Sequence, residues 1–423
     1  VARFPKSFLW GASLSAHQVE GEDIASDWWA WEQRPGRIVD GSTSQRGAGH
    51  LSRFPEDAAL ARKLGHNALL LSLSWPRLQP RAGHSQELDP VAVAHYSAVL
   101  ETWTRAGIMP IVALQHVTVP QWFQARGGWE HPRAAEAFAG YVRAAVGALA
   151  PWCHWWLPML EPLLWLERAH GERAWPGAGG RLLGWRKAVS QCVRAQQLAN
   201  AAIHDIQDGA QAGLSLCGNA MSPEDANSAG DLRAARRLEA WHRDWLPPQV
   251  ADCDFIALSY TGTNTVRFAP LRPVSRFARR DNDAPVAPTP SGLVDALDAV
   301  QAHGKPLFVT GNGVATGDDR ERCRYLLDHI SVLEGCVRAG MPVQGYFHRA
   351  LLDGWEWTAG HNQRYGLVHV ARETLARTPN ISAFLYKSII EARGIPGGAV
   401  ERYCPEWERL QIGGAETVGV LAP

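Results

Sequence analysis

The chain has 423 residues, 46% of them hydrophobic and 20% charged, enough for a substantial core in one large barrel or in about two or three average domains. Forty-two basic residues against forty-two acidic ones leave a formal net charge of zero, so nothing in the balance favours nucleic acid or an anionic membrane surface as a partner. Seven cysteines, an odd number with no CxxC pair, argue against a disulfide framework and suit a reducing, cytoplasmic setting.

The opening VARFPKSFLWG carries no basic stretch followed by a long apolar one, so no signal peptide is expected. No apolar run approaches the roughly 18 residues needed to cross a bilayer. Along the chain, apolar strand-like runs alternate with helical stretches. A strand at Phe8–Ala12 precedes a helix at Glu56–Leu64, and Ala68–Ser74 precedes Pro90–Ala106. Met109–Leu114 precedes Pro132–Leu149, Trp155–Met159 precedes Gly184–Gln207, and Ala212–Leu216 precedes Asp231–Trp245. Phe255–Ser259 precedes Gly292–Ala302, Pro306–Thr310 precedes Asp319–Ala339, and Gly345–Leu351 is the eighth strand. Pro90 after Asp89, and the acids Asp318 and Asp319, read as helix starts, while Asp281–Pro290 reads as a surface loop. Strands alternating with helices predict an α/β fold, a (β/α)8 TIM barrel that spans residues 1–423 as a single domain with elaborated loops.

The 19 tryptophans, clustered as at Trp28, Trp29 and Trp31 and at Trp152, Trp155 and Trp156, read first as core fillers and second as platforms for a flat ligand such as a sugar ring. Barrel enzymes place their chemistry at the C-terminal ends of strands, so the residues that close each strand are the candidates. The first strand ends in SAHQVEG (Ser15–Gly21), the third in LQH (Leu114–His116), and the fourth in MLEP (Met159–Pro162). The seventh runs into the Gly-Asn-Gly of residues 311–313, which reads as a turn, and the eighth leads to DGWEW (Asp353–Trp357) and RYGL (Arg364–Leu367).

These stretches, with LSLSWPRLQP (Leu71–Pro80), HVTVPQWF (His116–Phe123), DFIALSY (Asp254–Tyr260) and RTPNISAFLYKSII (Arg377–Ile390), occur in an order that resembles family 1 of the glycoside hydrolases, the β-glucosidase family, along essentially the whole chain. The resemblance implies a retaining mechanism with two carboxyl groups roughly 5–5.5 Å apart, one an acid/base and one a nucleophile. Glu161 stands in the acid/base place. The nucleophile place, within VTGNG, holds Gly311. Further positions depart from the family pattern in the same region. Leu70 stands where an arginine usually holds the nucleophilic carboxylate, and Ser259-Tyr260-Thr261 stands for Asn-Tyr-Tyr. Leu160 replaces the asparagine before the acid/base, Val117 a tryptophan after the histidine, and Arg349 the tryptophan under the sugar ring.

Loss of an anion together with its cation is physically coherent, because an arginine left alone would be a buried unpaired charge costing several kcal/mol. A natural remodelling is therefore expected rather than one engineered substitution. Gln18, His116, Glu356 and Trp357 match family positions that hold the hydroxyls of the innermost sugar, and His116 is a second candidate for acid/base work. Arg349 is a candidate clamp for a ligand carboxylate or phosphate; its plain alternative is a salt bridge to Glu161 or Glu356. Three readings stay open: acid/base chemistry through Glu161 on a polar, anionic or glycosylated metabolite; a sugar- or metabolite-binding protein without catalysis; and a glycosidase with an atypical inverting or substrate-assisted mechanism. No cofactor, metal site, nucleic-acid partner or membrane partner is expected.

Overall fold

The computed structural model describes residues 3–83, 87–171, 174–177, 184–245, 250–268, 274–277 and 288–408. All eight expected strands are present: β1 (Leu9–Ser15), β2 (Ala68–Ser72), β3 (Met109–Ala113), β4 (Trp155–Leu157), β5 (Gln211–Cys217), β6 (Phe255–Ser259), β7 (Leu307–Asn312) and β8 (Val343–His348). They close into one parallel barrel in which each strand pairs with its sequence neighbours and β8 returns to β1. A helix follows each strand: α1 (His50–Lys63), α2 (Pro90–Arg105), α3 (Ala134–Leu149), α4 (Gly184–Ile206), α5 (Ala229–Trp245), α6 (Pro290–Gln301), α7 (Asp319–Arg338) and α8 (Ile381–Ala392). The (β/α)8 barrel expected from the alternation is the architecture found.

Local chemistry explains the boundaries. β2 (ALLLS) and β6 (FIALS) are buried at every position, as parallel strands covered on both faces must be. The Asp89 carboxylate accepts the Val91 and Ala92 N–H groups at the start of α2, and Pro90 fills a first-turn position where no donor is needed. Asp318 caps α7 in the same way. Of the expected loop at Asp281–Pro290, residues 281–287 lie outside the described residues. Pro290 is not its end but the first residue of α6, with the Thr289 hydroxyl accepting from Gly292 N. A three-stranded sheet of Ala220–Pro223, Thr263–Arg267 and Val274–Phe277 was not foreseen.

One expectation is corrected at the site itself. Gly311 is not in a turn, because β7 runs on through Asn312 and Gly311 pairs with Ser259 of β6. The bore of the barrel is filled by Ala68, Leu70, Ile111, Ala113, Leu157, Phe255, Ala257, Phe308 and Phe347, and Leu160 closes this apolar column at the top. Among the described residues, Trp10, Trp28, Trp75, Trp103, Trp156 and Trp355 are fully buried, which matches the core-filler reading.

The loop after β1 is held by a buried ionic group. His17 lies 3.2 Å from Asp23 and 3.3 Å from Glu32, and Ser74 from the end of β2 donates to Asp23 at 2.7 Å. Burial alone would push the His17 pKa down, but its hydrogen bonds to Asp23 and Glu32 raise it from 6.5 to about 9. A folded-state value above the unfolded one means stability that is fully present below about pH 6.5 and lost as pH rises through about 9, roughly 3 kcal/mol in total. Urea unfolding of the wild type should therefore lose stability across that window, whereas His17→Gln should be less stable at pH 6 and give a flatter profile. Parallel profiles for the two proteins would contradict this assignment.

Candidate active site

The C-terminal ends of the strands surround a cavity of about 1080 Å³. Gln18, His116, Val117, Leu160, Glu161, Ser259, Thr261, Gly311, Arg349, Glu356 and Trp357 all line it, so the barrel gathers nearly every residue singled out in the sequence. Leu70 is the exception, since it lies fully buried in the bore beneath the cavity floor. Three of the lining residues hold left-handed backbone without being glycine: Val117 (φ 63°), Glu161 (φ 51°) and Trp357 (φ 51°). Such conformations cost about 1–3 kcal/mol each and persist only where the surroundings impose them, which is common at binding sites.

Glu161 is aimed by its neighbours. Its backbone N–H donates to Ser215 Oγ of β5 at 3.0 Å, a bridge joins Leu160 to His116, and Pro162 begins a short helix at once. His116 Nε2 lies 3.9 Å from Glu161 Oε2, while its Nδ1 is 2.8 Å from the Ser15 hydroxyl. Burial pushes the Glu161 carboxyl up. The opposing effects of His116, the more distant Arg349 charge and the Ser259 hydroxyl outweigh burial and hold it below the usual carboxylate range. Glu161 is thus an ionised carboxylate at neutral pH. A carboxyl held down in this way works against proton donation at neutral pH.

Beside the Glu161 carboxylate stands Gly311. A Cβ on this residue would collide with Ser259 Oγ and would stand 3.5 Å from Glu161 Oε1. The strand ends are tied together here, because Tyr260 N donates to Gly311 O at 2.9 Å and Asn312 Nδ2 donates to Tyr260 O at 3.0 Å. These bonds hold β6 and β7 together, so relief of the contact falls to the Ser259 side chain. Thr261 is turned to Asn219, whose Oδ1 accepts from its N–H at 2.9 Å and from its hydroxyl at 3.2 Å.

Arg349 takes up the plainer of its two expected roles. Its Nη2 donates to Glu356 Oε2 at 2.9 Å, and the same oxygen accepts from Gln18 Nε2 at 2.8 Å. Burial raises the Glu356 carboxyl, whereas both donors favour its ionised form. The guanidinium also lies over the Tyr365 ring at 4.3 Å. Tyr365 is a site residue that the sequence reading passed over, although it stands in the quoted RYGL stretch. Ser15 was passed over likewise, and Trp175 had no motif to mark it. Trp357 and Trp175 form the aromatic wall of the cavity, with His17 stacked on Trp357 at 5.5 Å.

The chain matches glycosyl hydrolase family 1 over residues 1–257 and 253–395. β-Glucosidase A of Thermotoga maritima is 27% identical to it, over 93% of this chain and 99% of the relative. Among solved structures, a β-glycosidase from Pyrococcus horikoshii superposes with a TM-score of 0.85 at 25% identity, covering 95% of this chain and 98% of that one. A β-glucosidase from Thermotoga maritima in complex with glucoimidazole superposes with a TM-score of 0.82 at 25% identity, covering 93% of this chain and 100% of that one. Matched along nearly its whole length, the chain belongs to glycosyl hydrolase family 1.

Proposed function

We propose that this barrel binds a glycosylated or polyhydroxylated small molecule at its mouth and performs acid/base chemistry on it through Glu161, without a glycosyl–enzyme ester. The observation that carries this reading is at residue 311. Glycine offers no nucleophile there, and the Ser259 hydroxyl occupies the space in which a side chain would begin. The bore below supports the same reading, since Leu70 sits in an apolar cluster where no cation could hold a second carboxylate. Glu356, the other carboxylate at the cavity wall, is engaged by Gln18 and Arg349, which disfavours it as the base of an inverting hydrolysis. Glu161 is left as the proton acceptor, with His116 beside it and Gln18, Glu356 and Trp357 as ligand-orienting groups. Residues 1–423 act in this reading as one barrel domain. Seven buried, unpaired cysteines suit a reducing compartment such as the cytoplasm.

A β-glucoside with an activated leaving group, such as 4-nitrophenyl β-D-glucoside, should show no enzymic release of nitrophenol, with or without azide or formate. The Gly311→Glu variant should not gain hydrolysis either, because the new side chain meets Ser259 and lacks a cation at position 70. Turnover at the ordinary enzymic scale of about 1 per second or faster would contradict the proposal.

Glu161→Gln separates catalysis from simple binding. It should abolish conversion of any substrate found by screening while leaving affinity for a neutral sugar within about threefold of wild type. Undiminished conversion by that variant would remove Glu161 from the chemistry.

A further inference from the structure

Three strand ends meet at His116. Ser15 closes β1, Ser72 closes β2 in register with it, and His116 follows β3. The hydrogen bonds that join them have a fixed direction. A backbone N–H can only donate, and that of Ala16 donates to Ser72 Oγ at 3.1 Å. The Ser72 hydroxyl donates in turn to Ser15 Oγ at 3.4 Å. A hydroxyl carries one proton, and that of Ser15 is left for His116 Nδ1, which lies 2.8 Å away. A ring nitrogen that accepts a hydrogen bond carries no proton itself, so the neutral imidazole keeps its proton on Nε2. Nε2 is the nitrogen 3.9 Å from Glu161 Oε2, and the Trp357 ring packs edge-on against the imidazole with centroids 5.6 Å apart.

We infer that Ser15 and Ser72 are positioning residues that lock His116 as the Nε2–H tautomer, which makes His116 a fixed donor and leaves Glu161 as the proton acceptor of the pair. A separation of 3.9 Å is too long for a direct hydrogen bond. Both side chains line the cavity, so a ligand hydroxyl seated against both accepts from Nε2–H and donates to Oε2. When Glu161 acts as the base, the proton of that hydroxyl passes to Oε2. The opposite tautomer would turn the Ser15 proton away from its acceptor and present the ligand with a second acceptor at Nε2. The inference rests on Glu161 as the base of the proposed reaction, and it removes His116, the other candidate for acid/base work, from that role.

The test is nitrogen-15 NMR of the full chain labelled at the histidine rings, which reads the tautomer of each imidazole directly. His116 is assigned by the resonances that His116→Gln removes. At about pH 8, where an ordinary imidazole is neutral, the Nε2–H form of His116 should exceed the other by about tenfold or more. In Ser15→Ala and in Ser72→Ala the excess should fall to about threefold or less. An Nδ1–H ring in the wild type, or a ratio left unchanged in either variant, would overturn the inference. Should a variant fail to fold, the wild-type spectrum decides the matter. These outcomes are separate from those of the conversion assay. Undiminished conversion by Glu161→Gln removes the proposed base whatever the tautomer, whereas an Nδ1–H ring with conversion abolished in Glu161→Gln removes only the lock on His116.

Discussion

At their C-terminal ends β6 and β7 run so close together that the Ser259 hydroxyl lies where a side chain on residue 311 would begin. The approach is held from both sides by the hydrogen bonds of Tyr260 and Asn312, and Asn312 is itself held by the Tyr346 hydroxyl at 3.0 Å. This contact couples residues 259 and 311 to one another. A small residue at 311 and a small polar one at 259 are one packing solution, since a side chain on 311 requires the Ser259 hydroxyl to move. Below it the bore is closed by apolar side chains, Leu70 and Leu160 among them, up to the cavity floor.

The electrostatics of the mouth follow from that packing. A family 1 site with two facing carboxylates has its acid/base pushed upward by the like charge of its partner. In this cavity His116, the Arg349 charge and the Ser259 hydroxyl all favour the ionised form of Glu161 against burial. Arg349 reinforces this: it brings positive charge to the cavity wall while its own guanidinium is spent on Glu356 and Tyr365.

Much of this was legible in the chain. The eight strands showed as apolar runs separated by amphipathic helices, and their ends carried the polar residues that line the cavity. The boundaries were less legible where a pattern had two physical readings. Gly-Asn-Gly at 311–313 resembles a turn, but only a neighbouring strand reveals that the first glycine is needed for close approach rather than for its backbone freedom. Arg349 could be assigned two roles from sequence, and the choice between them depended on the distance to Glu356. Ser15 and Tyr365 were hidden because each acts through another residue, one through His116 and the other through Arg349. The sheet around Thr263–Arg267 is built from strands of four or five residues, too short for a periodic pattern to stand out.

The central claim is that no side chain of this barrel forms a covalent bond to a sugar, and intact-protein mass spectrometry addresses it most directly. After incubation with an activated β-glucoside and rapid acid quenching, the protein is predicted to keep the mass of the untreated chain. A population carrying the added mass of one hexosyl unit, mapped to any residue of the cavity, would contradict the account.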